Sequence, residues 1–165
     1  MTRARPAIFE IRVALDDVRD CQRLIRVSAG ATLARAHRVL ATAFGWPTSG
    51  RYAFWSDHVR YDGEWSSQSD ERDIRHVRLR QLLPDVGARL GWECGSRAEW
   101  SATLSLHGVF SPDTLLPTPA CVGGVGQPPA FEDGPWAGWD QSGRVDFTPT
   151  IVNAELALLR SGRRD

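Results

Sequence analysis

Lysine is absent from the sequence, and all 20 basic residues are arginines. This bias is typical of a GC-rich coding sequence, so it does not by itself indicate a function. Twenty acidic residues bring the formal net charge to zero, which predicts no overall electrostatic attraction to nucleic acid or to an anionic membrane. Residues 1–90 carry 15 arginines against 11 acidic residues, and residues 91–165 carry 5 against 9. Solvated surfaces commonly show an asymmetry of this size.

Long apolar segments are also missing. No run approaches the roughly 18 residues that a membrane-spanning helix needs, and no apolar stretch long enough for an export signal follows Arg3 and Arg5. The three cysteines, Cys21, Cys94 and Cys121, are odd in number and widely spaced. These features predict a cytoplasmic protein without disulfides and without membrane association.

The common catalytic and ligand-binding motifs are lacking as well. The histidines and cysteines form no C-x-x-C or H-E-x-x-H motif, so we predict no metal site and no cofactor. There is no G-x-S-x-G elbow for a hydrolase nucleophile. Residues 123–126 (GGVG) have the composition of a phosphate loop, but no Lys-Ser or Lys-Thr pair follows them. We interpret them as flexible turn glycines.

The sequence does contain enough apolar material for one core. Its 165 residues are 42% apolar and include seven tryptophans, which suits a core with large aromatic side chains. A chain of this length buries about 70% of its unfolded surface. We therefore predict a single domain over residues 1–165, with a core at about 8–160 and flexible tails.

Alternating apolar residues predict several strands. In residues 8–15 every second side chain from Phe9 onwards is apolar, whereas Glu10 and Arg12 point the other way. Residues 21–27 predict the second strand of a hairpin. Further strands are predicted at 51–55, 58–61, 88–94 and 98–107, with a surface loop at 62–75 and a short strand and helical turn at 77–83.

Helical spacing is clearest over residues 33–44, where Thr32 is the predicted N-cap and Gly45 and Pro47 end the helix. Its apolar stripe consists of Leu33, Ala36, His37, Leu40 and Phe44. Residues 111–149 show no period and are rich in proline and glycine, which predicts a long loop. A final helix is predicted over 150–160, with Ile151, Ala154, Leu158 and either Val152 or Leu159 on its apolar face.

The order of several short motifs carries a family resemblance. Thr32-Leu33, His37 and Gly45-Trp46 fit a T-L-x-x-L-H-x-x-I-x-x-x-x-G-W pattern. Over roughly residues 8–140 the chain resembles the plasmid pRiA4b ORF-3-like family, which also carries the label of an insertion-sequence passenger protein. The resemblance implies an α+β fold in which a β-grasp-like, mixed or antiparallel sheet packs on one main helix, and it implies no established reaction. Further matches are Arg23, Leu79, Leu82-Leu83, Trp100, Cys121, Gly123, Pro128-Pro129 and Gly134.

Three departures from that family limit what the resemblance implies about function. Gly50-Arg51-Tyr52 stand where the family usually has H-L-H. Ser96 and Ala102 replace the Asp and the final His of a G-D-x-W-x-H segment. Residues 127–133 lack the cysteines of a C-P-P-E-D-C-like run. A metal or catalytic site built from those residues in relatives would be largely missing here.

Three functional hypotheses remain open. The leading one is a non-catalytic binding module of a mobile-element- or plasmid-associated family, which contacts a protein partner through Phe131, Trp136 and Trp139, because aromatic residues dominate binding hot spots. The second is a DNA-binding accessory factor for mobile-element processing. It would use an arginine group whose charge is diluted by neighbouring acidic residues, namely Arg72, Arg75, Arg78 and Arg80.

The third hypothesis is a hydrolase or nuclease with its site near residues 121–134. Its candidates are His37, Cys121, Glu132 and Asp133. For His37, which lies on the apolar stripe, a core position with a hydrogen bond to the backbone is favoured over a role as a base. Cys121, placed in the predicted loop, is the cysteine most worth testing for reactivity.

Overall fold

The computed structural model describes residues 4–64, 76–95, 100–113, 117–134 and 147–160. The strands are β1 (Ile8–Leu15), β2 (Gln22–Ser28), β3 (Arg51–Ser56), β4 (Val59–Glu64), β5 (Arg89–Cys94), β6 (Trp100–Phe110) and β7 (Ala120–Val125). The helices are α1 (Leu33–Ala43), α2 (Leu79–Leu82) and α3 (Pro149–Arg160), and a 3-10 turn spans Phe131–Asp133.

The seven strands form one sheet in the order β4-β3-β5-β6-β1-β2-β7. Every neighbouring pair is antiparallel. The predicted α+β class, the antiparallel sheet and the C-terminal helix are therefore confirmed. The β-grasp-like description stays a prediction.

The sheet has an apolar inner face, which is the face turned toward α1. On β6 the apolar side chains from Trp100 to Leu106 are buried, while the alternating Ser101, Thr103 and Ser105 are only half-buried. Ala36, Val39 and Leu40 of α1 line a small cavity together with inner-face residues of the sheet. The helix thus lies directly on the inner face, and the opposite, outer face carries the polar side chains.

The ends of α1 form as the sequence predicts. The Thr32 Oγ1 atom accepts a hydrogen bond from the backbone N–H of Arg35 at 3.2 Å, which satisfies one of the free donors of the first turn. Gly45 has a φ of +72°, the left-handed conformation that commonly ends a helix. The predicted apolar stripe of Leu33, Ala36, His37, Leu40 and Phe44 is buried throughout.

The predicted loop at 111–149 is wrong over residues 120–125, which form β7 and pair with β2. A Cβ atom at Gly124 or Gly126 would overlap the backbone carbonyl oxygen of Gln22 or Asp20, respectively. Gly123 and Gly124 are therefore strand residues, and Gly126 directly follows the strand, where it allows close approach to the end of β2. The interpretation as flexible turn glycines is wrong for the two strand residues. Because glycine is depleted in strands, the glycine-rich composition of this segment gave no indication of β7. The loop predicted at 62–75 also begins too early, because β4 continues to Glu64.

The predicted apolar face of α3 is wrong at Ile151, Ala154 and Leu158, which are exposed, whereas Val152 and Leu159 pack against the core as predicted. Ile151 is 71% exposed and Leu158 is 40% exposed, whereas Leu156 is fully buried. The Asn153 side chain turns inward instead: its Oδ1 atom accepts from the Cys121 N–H at 2.7 Å and its Nδ2 atom donates to the Cys121 carbonyl at 2.8 Å. These two hydrogen bonds set the rotation of α3 against the edge strand β7. No helix in the described ranges combines the length and apolarity needed to cross a membrane.

Candidate functional site

An aromatic cluster fills the inner face of the sheet beyond the C-terminal end of α1. We define it as Phe44, Trp46, Trp92, Trp100 and Phe131. The Trp46 ring is its centre, with ring centroids 4.5 Å from Trp100, 4.9 Å from Phe44, 5.6 Å from Phe131 and 6.0 Å from Trp92. These are the separations at which aromatic pairs attract beyond simple burial.

The aromatic cluster also fixes the chain after β7. The Trp100 Nε1–H donates to the Phe131 carbonyl at 3.0 Å, and the Phe131 ring is only partly buried against Trp46 and Trp100. The Trp46 Nε1–H is buried and has no acceptor within the part of the chain that the structure describes. Phe131 is thus a packing residue as well as the predicted partner contact.

His37 lies next to this cluster and is 1% exposed. Its ring stacks on Tyr52 with centroids 3.9 Å apart and planes 4° apart. Its Nε2 atom is 3.0 Å from the Thr48 carbonyl oxygen, and its Nδ1 atom is 3.2 Å from Trp92 Nε1. The predicted hydrogen bond from this buried histidine to the backbone is therefore confirmed.

The two partners of His37 determine its tautomer. An indole N–H can only donate and a carbonyl oxygen can only accept, so Nδ1 must be the acceptor and Nε2 must carry the proton. Burial lowers the pKa of His37 from its ordinary value to about 4, against the opposing effect of the Thr48 hydrogen bond. Both ring nitrogens are engaged, which leaves none for proton transfer to a substrate.

A buried cation, Arg23, lies on β2 toward the other edge of the sheet and is 1% exposed. Its Nε–H donates to the Ala43 carbonyl at 3.1 Å, and Nη1 donates to the carbonyls of Val125 at 3.0 Å and Gly126 at 2.8 Å. Phe147 covers the guanidinium at 3.8 Å from the ring centroid. Burial lowers the pKa of Arg23. The side chain therefore joins the end of α1 to the end of β7.

Cys121 is buried in β7 rather than exposed in a loop. Its thiol lies 3.2 Å from the Gly123 carbonyl oxygen, and burial raises the pKa of the thiol above its ordinary value. A buried thiol with a raised pKa is a poor nucleophile. The predicted loop placement of Cys121 is therefore wrong, because the segment that holds it is the edge strand β7, covered by α3.

The catalytic candidates do not converge. His37 contacts β3 and β5 through Tyr52 and Trp92, whereas Cys121 lies on β7 at the far edge. Three strands separate β5 from β7, which corresponds to on the order of 20 Å across the sheet. Glu132 is exposed on the 3-10 turn, and the side chain of Asp133 lies outside the described residues. Across the described ranges, no three His, Cys, Asp or Glu side chains cluster as metal ligands would.

The predicted contact residues are described only in part. Trp136, Trp139, Arg72 and Arg75 lie outside the described residues. Arg78 is exposed, but its Nη1 donates to the Gly30 carbonyl, and Arg80 is exposed on α2. The arginine group therefore stays a prediction.

The structural roles of two polar residues, Arg23 and Asn153, were not predicted from the sequence. Arg23 occupies an inward position in the alternation of β2, beside the buried Ile25 and Val27, and a charge at such a position was a usable signal. Asn153 carried no comparable signal, because its role depends on the position of β7. Tyr52, which covers one face of His37, was predicted only as a strand residue.

Comparison with known proteins gives a family and a fold. The family model described as plasmid pRiA4b ORF-3-like protein matches residues 7–142. A crystal structure of a protein of unknown function from Methanosarcina mazei Go1 is similar, with a TM-score of 0.61 and 11% sequence identity over 72% of this chain and 69% of that one. No curated protein matches the chain. The structural similarity at this identity concerns the fold alone.

Proposed function

Because the chain belongs to the plasmid pRiA4b ORF-3-like family, we propose that it is a non-catalytic binding module of a mobile-element- or plasmid-associated kind. The observation that carries the proposal is the state of His37, the best catalytic candidate. Both of its ring nitrogens are hydrogen-bonded inside the core, and burial keeps the ring neutral. A general base needs a nitrogen within reach of its substrate.

The proposed contact surface is the segment that begins at Phe131 and includes Trp136 and Trp139. Its starting point is held firmly: Arg23 binds the carbonyls of Val125 and Gly126, and Trp100 binds the carbonyl of Phe131. A rigid base lowers the entropy lost when a segment binds, and tryptophans are the residues most enriched in hot spots. These features support a protein partner for the segment.

The test compares wild type with Trp136→Ala/Trp139→Ala as bait for proteins of the host lysate, quantified by mass spectrometry. We expect the double variant to lose a partner that wild type captures, at least tenfold, while its urea unfolding midpoint stays the same. Phe131→Ala shows the size of a packing loss in the stability measurement, since it should lower stability by about 2–3 kcal/mol through lost contacts with Trp46 and Trp100. A comparable loss of stability in the double variant would place both tryptophans in the core and contradict the proposal.

The DNA-binding and hydrolase alternatives have less support. Arg78 is engaged with the Gly30 carbonyl, and a neutral chain lacks the excess of cations that phosphate contacts require. A gel shift that strengthens at low salt and is lost on substituting Arg80 would favour DNA binding over a protein partner. For the hydrolase, His37 of α1 packs against β3 and β5, whereas Cys121 lies on β7 at the far edge of the sheet.

A further inference from the structure

Trp55 differs from the tryptophans of the aromatic cluster because it points to the outer face of the sheet. Along β3, Tyr52 and Phe54 are buried on the inner face, while Trp55 is half-buried on the outer one. The Trp55 ring makes no contact with another aromatic ring in the part of the chain that the structure describes. Packing of the aromatic core therefore does not explain this residue.

A glycine on the next strand holds the Trp55 ring. Gly91 of β5 is the direct cross-strand partner of Trp55, and a Cβ atom at Gly91 would overlap the indole, nearest to Cε2, Cζ2 and Cδ2. The three nearest atoms belong to the ring itself, so the indole lies over the glycine with one face against the sheet. This close approach requires glycine at position 91.

The inner face of the sheet also has an aromatic ring that rests on a glycine, but there both faces of the ring are covered. A Cβ atom at Gly63 would overlap the Tyr52 ring, and the opposite side of that ring is covered by His37 in a parallel stack at 3.9 Å. Tyr52 is thus enclosed and 6% exposed. Trp55 rests on its glycine in the same manner, but its second face is turned to the outside of the sheet.

Polar side chains are held beside the Trp55 ring. Arg60 is the cross-strand partner of Trp55 on β4, and its guanidinium binds Asp62 at 2.8 Å and also Glu93. Both carboxylates lie on the outer face, since Asp62 and Glu93 each pair with Ala53. The three side chains fix one another, so hydrogen-bonding groups stand at defined positions next to a flat apolar surface.

The charges of this group favour a neutral ligand. Asp62 and Glu93 offset the charge of Arg60, and Arg89, exposed on the same face of β5 as Gly91, brings the neighbourhood to a net charge of zero. A surface without excess positive charge does not favour a phosphate-bearing ligand. Arg60 is beside the ring and already neutralises part of the acidic charge, which opposes an organic cation on the indole face. A neutral sugar fits both constraints, because a pyranose ring has one flat C–H face for the indole and hydroxyls for charged side chains.

We infer that Trp55, with Arg60, Asp62 and Glu93, forms a binding site for a neutral pyranose sugar on the outer face of the sheet. Trp55 supplies the stacking surface, and the three charged side chains hydrogen-bond the hydroxyls at the rim of the sugar. The site uses none of the residues of the partner surface proposed above, so the two proposals are tested independently.

The test is a titration of the full chain followed by the Trp55 indole N–H resonance in NMR. The probes are cellohexaose, maltohexaose and chitohexaose, each to 10 mM, with adenosine monophosphate and tetramethylammonium for comparison. We expect at least one hexasaccharide to shift the Trp55 resonance saturably, with little response to the other two ligands. No response to any of the three hexasaccharides would overturn the inference, as would a response to adenosine monophosphate or tetramethylammonium alone.

Variants distinguish a loss of sugar binding from a loss of stability. Trp55→Ala should weaken sugar binding, measured by calorimetry, at least tenfold. Asp62→Ala, at a side chain that is 70% exposed, should weaken it about threefold or more with an unchanged unfolding midpoint. Arg12→Ala, on the same outer face but three strands away in the sheet order, should leave binding unchanged. Binding that survives Trp55→Ala, or that Arg12→Ala reduces as strongly as Asp62→Ala, would contradict the assignment.

Discussion

The two ends of the sheet are held together by different kinds of interaction. At the β3–β5 end, the aromatic cluster and the stacked pair of His37 and Tyr52 fill the inner face with rings. At the β2–β7 end, Arg23 binds backbone carbonyls of α1 and β7, and Asn153 binds the backbone of Cys121. Ring contacts predominate at the first end, where His37 also makes two buried hydrogen bonds, and hydrogen bonds to the backbone predominate at the second.

This difference has consequences for sensitivity to substitution. Contacts between large apolar rings are many and individually weak, so a ring cluster tolerates small changes of shape. Buried hydrogen bonds are few, and removal of one partner leaves the other unsatisfied in a low-dielectric environment. Removal of a single buried polar side chain at the β2–β7 end should therefore lower the unfolding free energy substantially, although only a few such side chains are present.

Arg23→Leu should have the largest effect. The substitution leaves the carbonyls of Ala43, Val125 and Gly126 without their donor, and we expect a loss of about 3–5 kcal/mol of unfolding free energy in urea. The control is Arg12→Leu on the neighbouring strand β1, where the side chain is exposed and the loss should stay below about 1 kcal/mol. Similar losses in the two variants would show that the hydrogen bonds of Arg23 do not stabilise this end of the sheet.

Acid should have the next largest effect on stability, through the protonation of His37. The folded state holds the pKa at about 4, below the ordinary value of about 6.5 for the unfolded chain. Only the unfolded chain therefore takes up the proton as pH falls from about 6.5 to about 4. The stabilisation is fully present above pH 6.5 and is lost on acidification, on the order of 3 kcal/mol in total.

Urea unfolding from pH 7.5 to pH 4.5 measures this acid effect as the difference between wild type and His37→Phe. The control His107→Gln, at an exposed position of β6, should keep the wild-type pH dependence. A His37→Phe variant with the same dependence as wild type would assign the acid sensitivity to other groups.

Asn153→Leu should have a smaller effect, because two hydrogen bonds between neutral groups are lost. We expect a decrease of about 2 kcal/mol, together with faster hydrogen exchange of the Cys121 amide, whose proton Asn153 accepts. Glu155→Gln on the exposed side of α3 should change stability by less than about 0.5 kcal/mol. Unchanged exchange at Cys121 would mean that α3 does not protect the β7 edge.

Thr32→Ala should have the smallest effect, about 1 kcal/mol, since it removes the one side-chain cap of α1. Thr32→Ser retains the oxygen and should remain within a few tenths of wild type. Thermal unfolding of both variants provides the measurement. Both substitutions remove the Thr32 methyl group, but only Thr32→Ala removes the hydroxyl oxygen. Equal losses in the two variants would therefore trace the effect to the methyl group rather than to the cap.

Most of the aromatic end could be predicted from the sequence, whereas at the polar end β2 and the C-terminal helix were predicted but β7 and the inward face of α3 were not. Alternation of apolar side chains around Trp100 predicted β6, strands were also predicted at 51–55 and 88–94 where β3 and β5 lie, and the spacing after Thr32 predicted α1. Strand β7 was missed because Gly123 and Gly124 carry no side-chain alternation, and the face of α3 was missed because a polar residue, Asn153, points inward. Hydrogen bonds between residues far apart in the chain leave no periodic signal.

At the candidate sites, the burial of His37 could be predicted from the sequence and the position of Trp55 could not. The burial of His37 followed from its place on the apolar stripe of α1. The position of Trp55 over Gly91 did not, because it depends on the register of β3 with β5. Register is fixed by the fold as a whole rather than by either strand alone.

The most direct measurement for a non-catalytic role is the tautomer and titration of His37, observed by nitrogen-15 NMR of the histidine side chains. The account predicts a neutral ring with the proton on Nε2, unchanged from pH 8 to pH 5.5, because Trp92 and Thr48 occupy both nitrogens. A His37 ring that protonates near pH 6.5, or one that carries its proton on Nδ1, would contradict this and restore His37 as a candidate base.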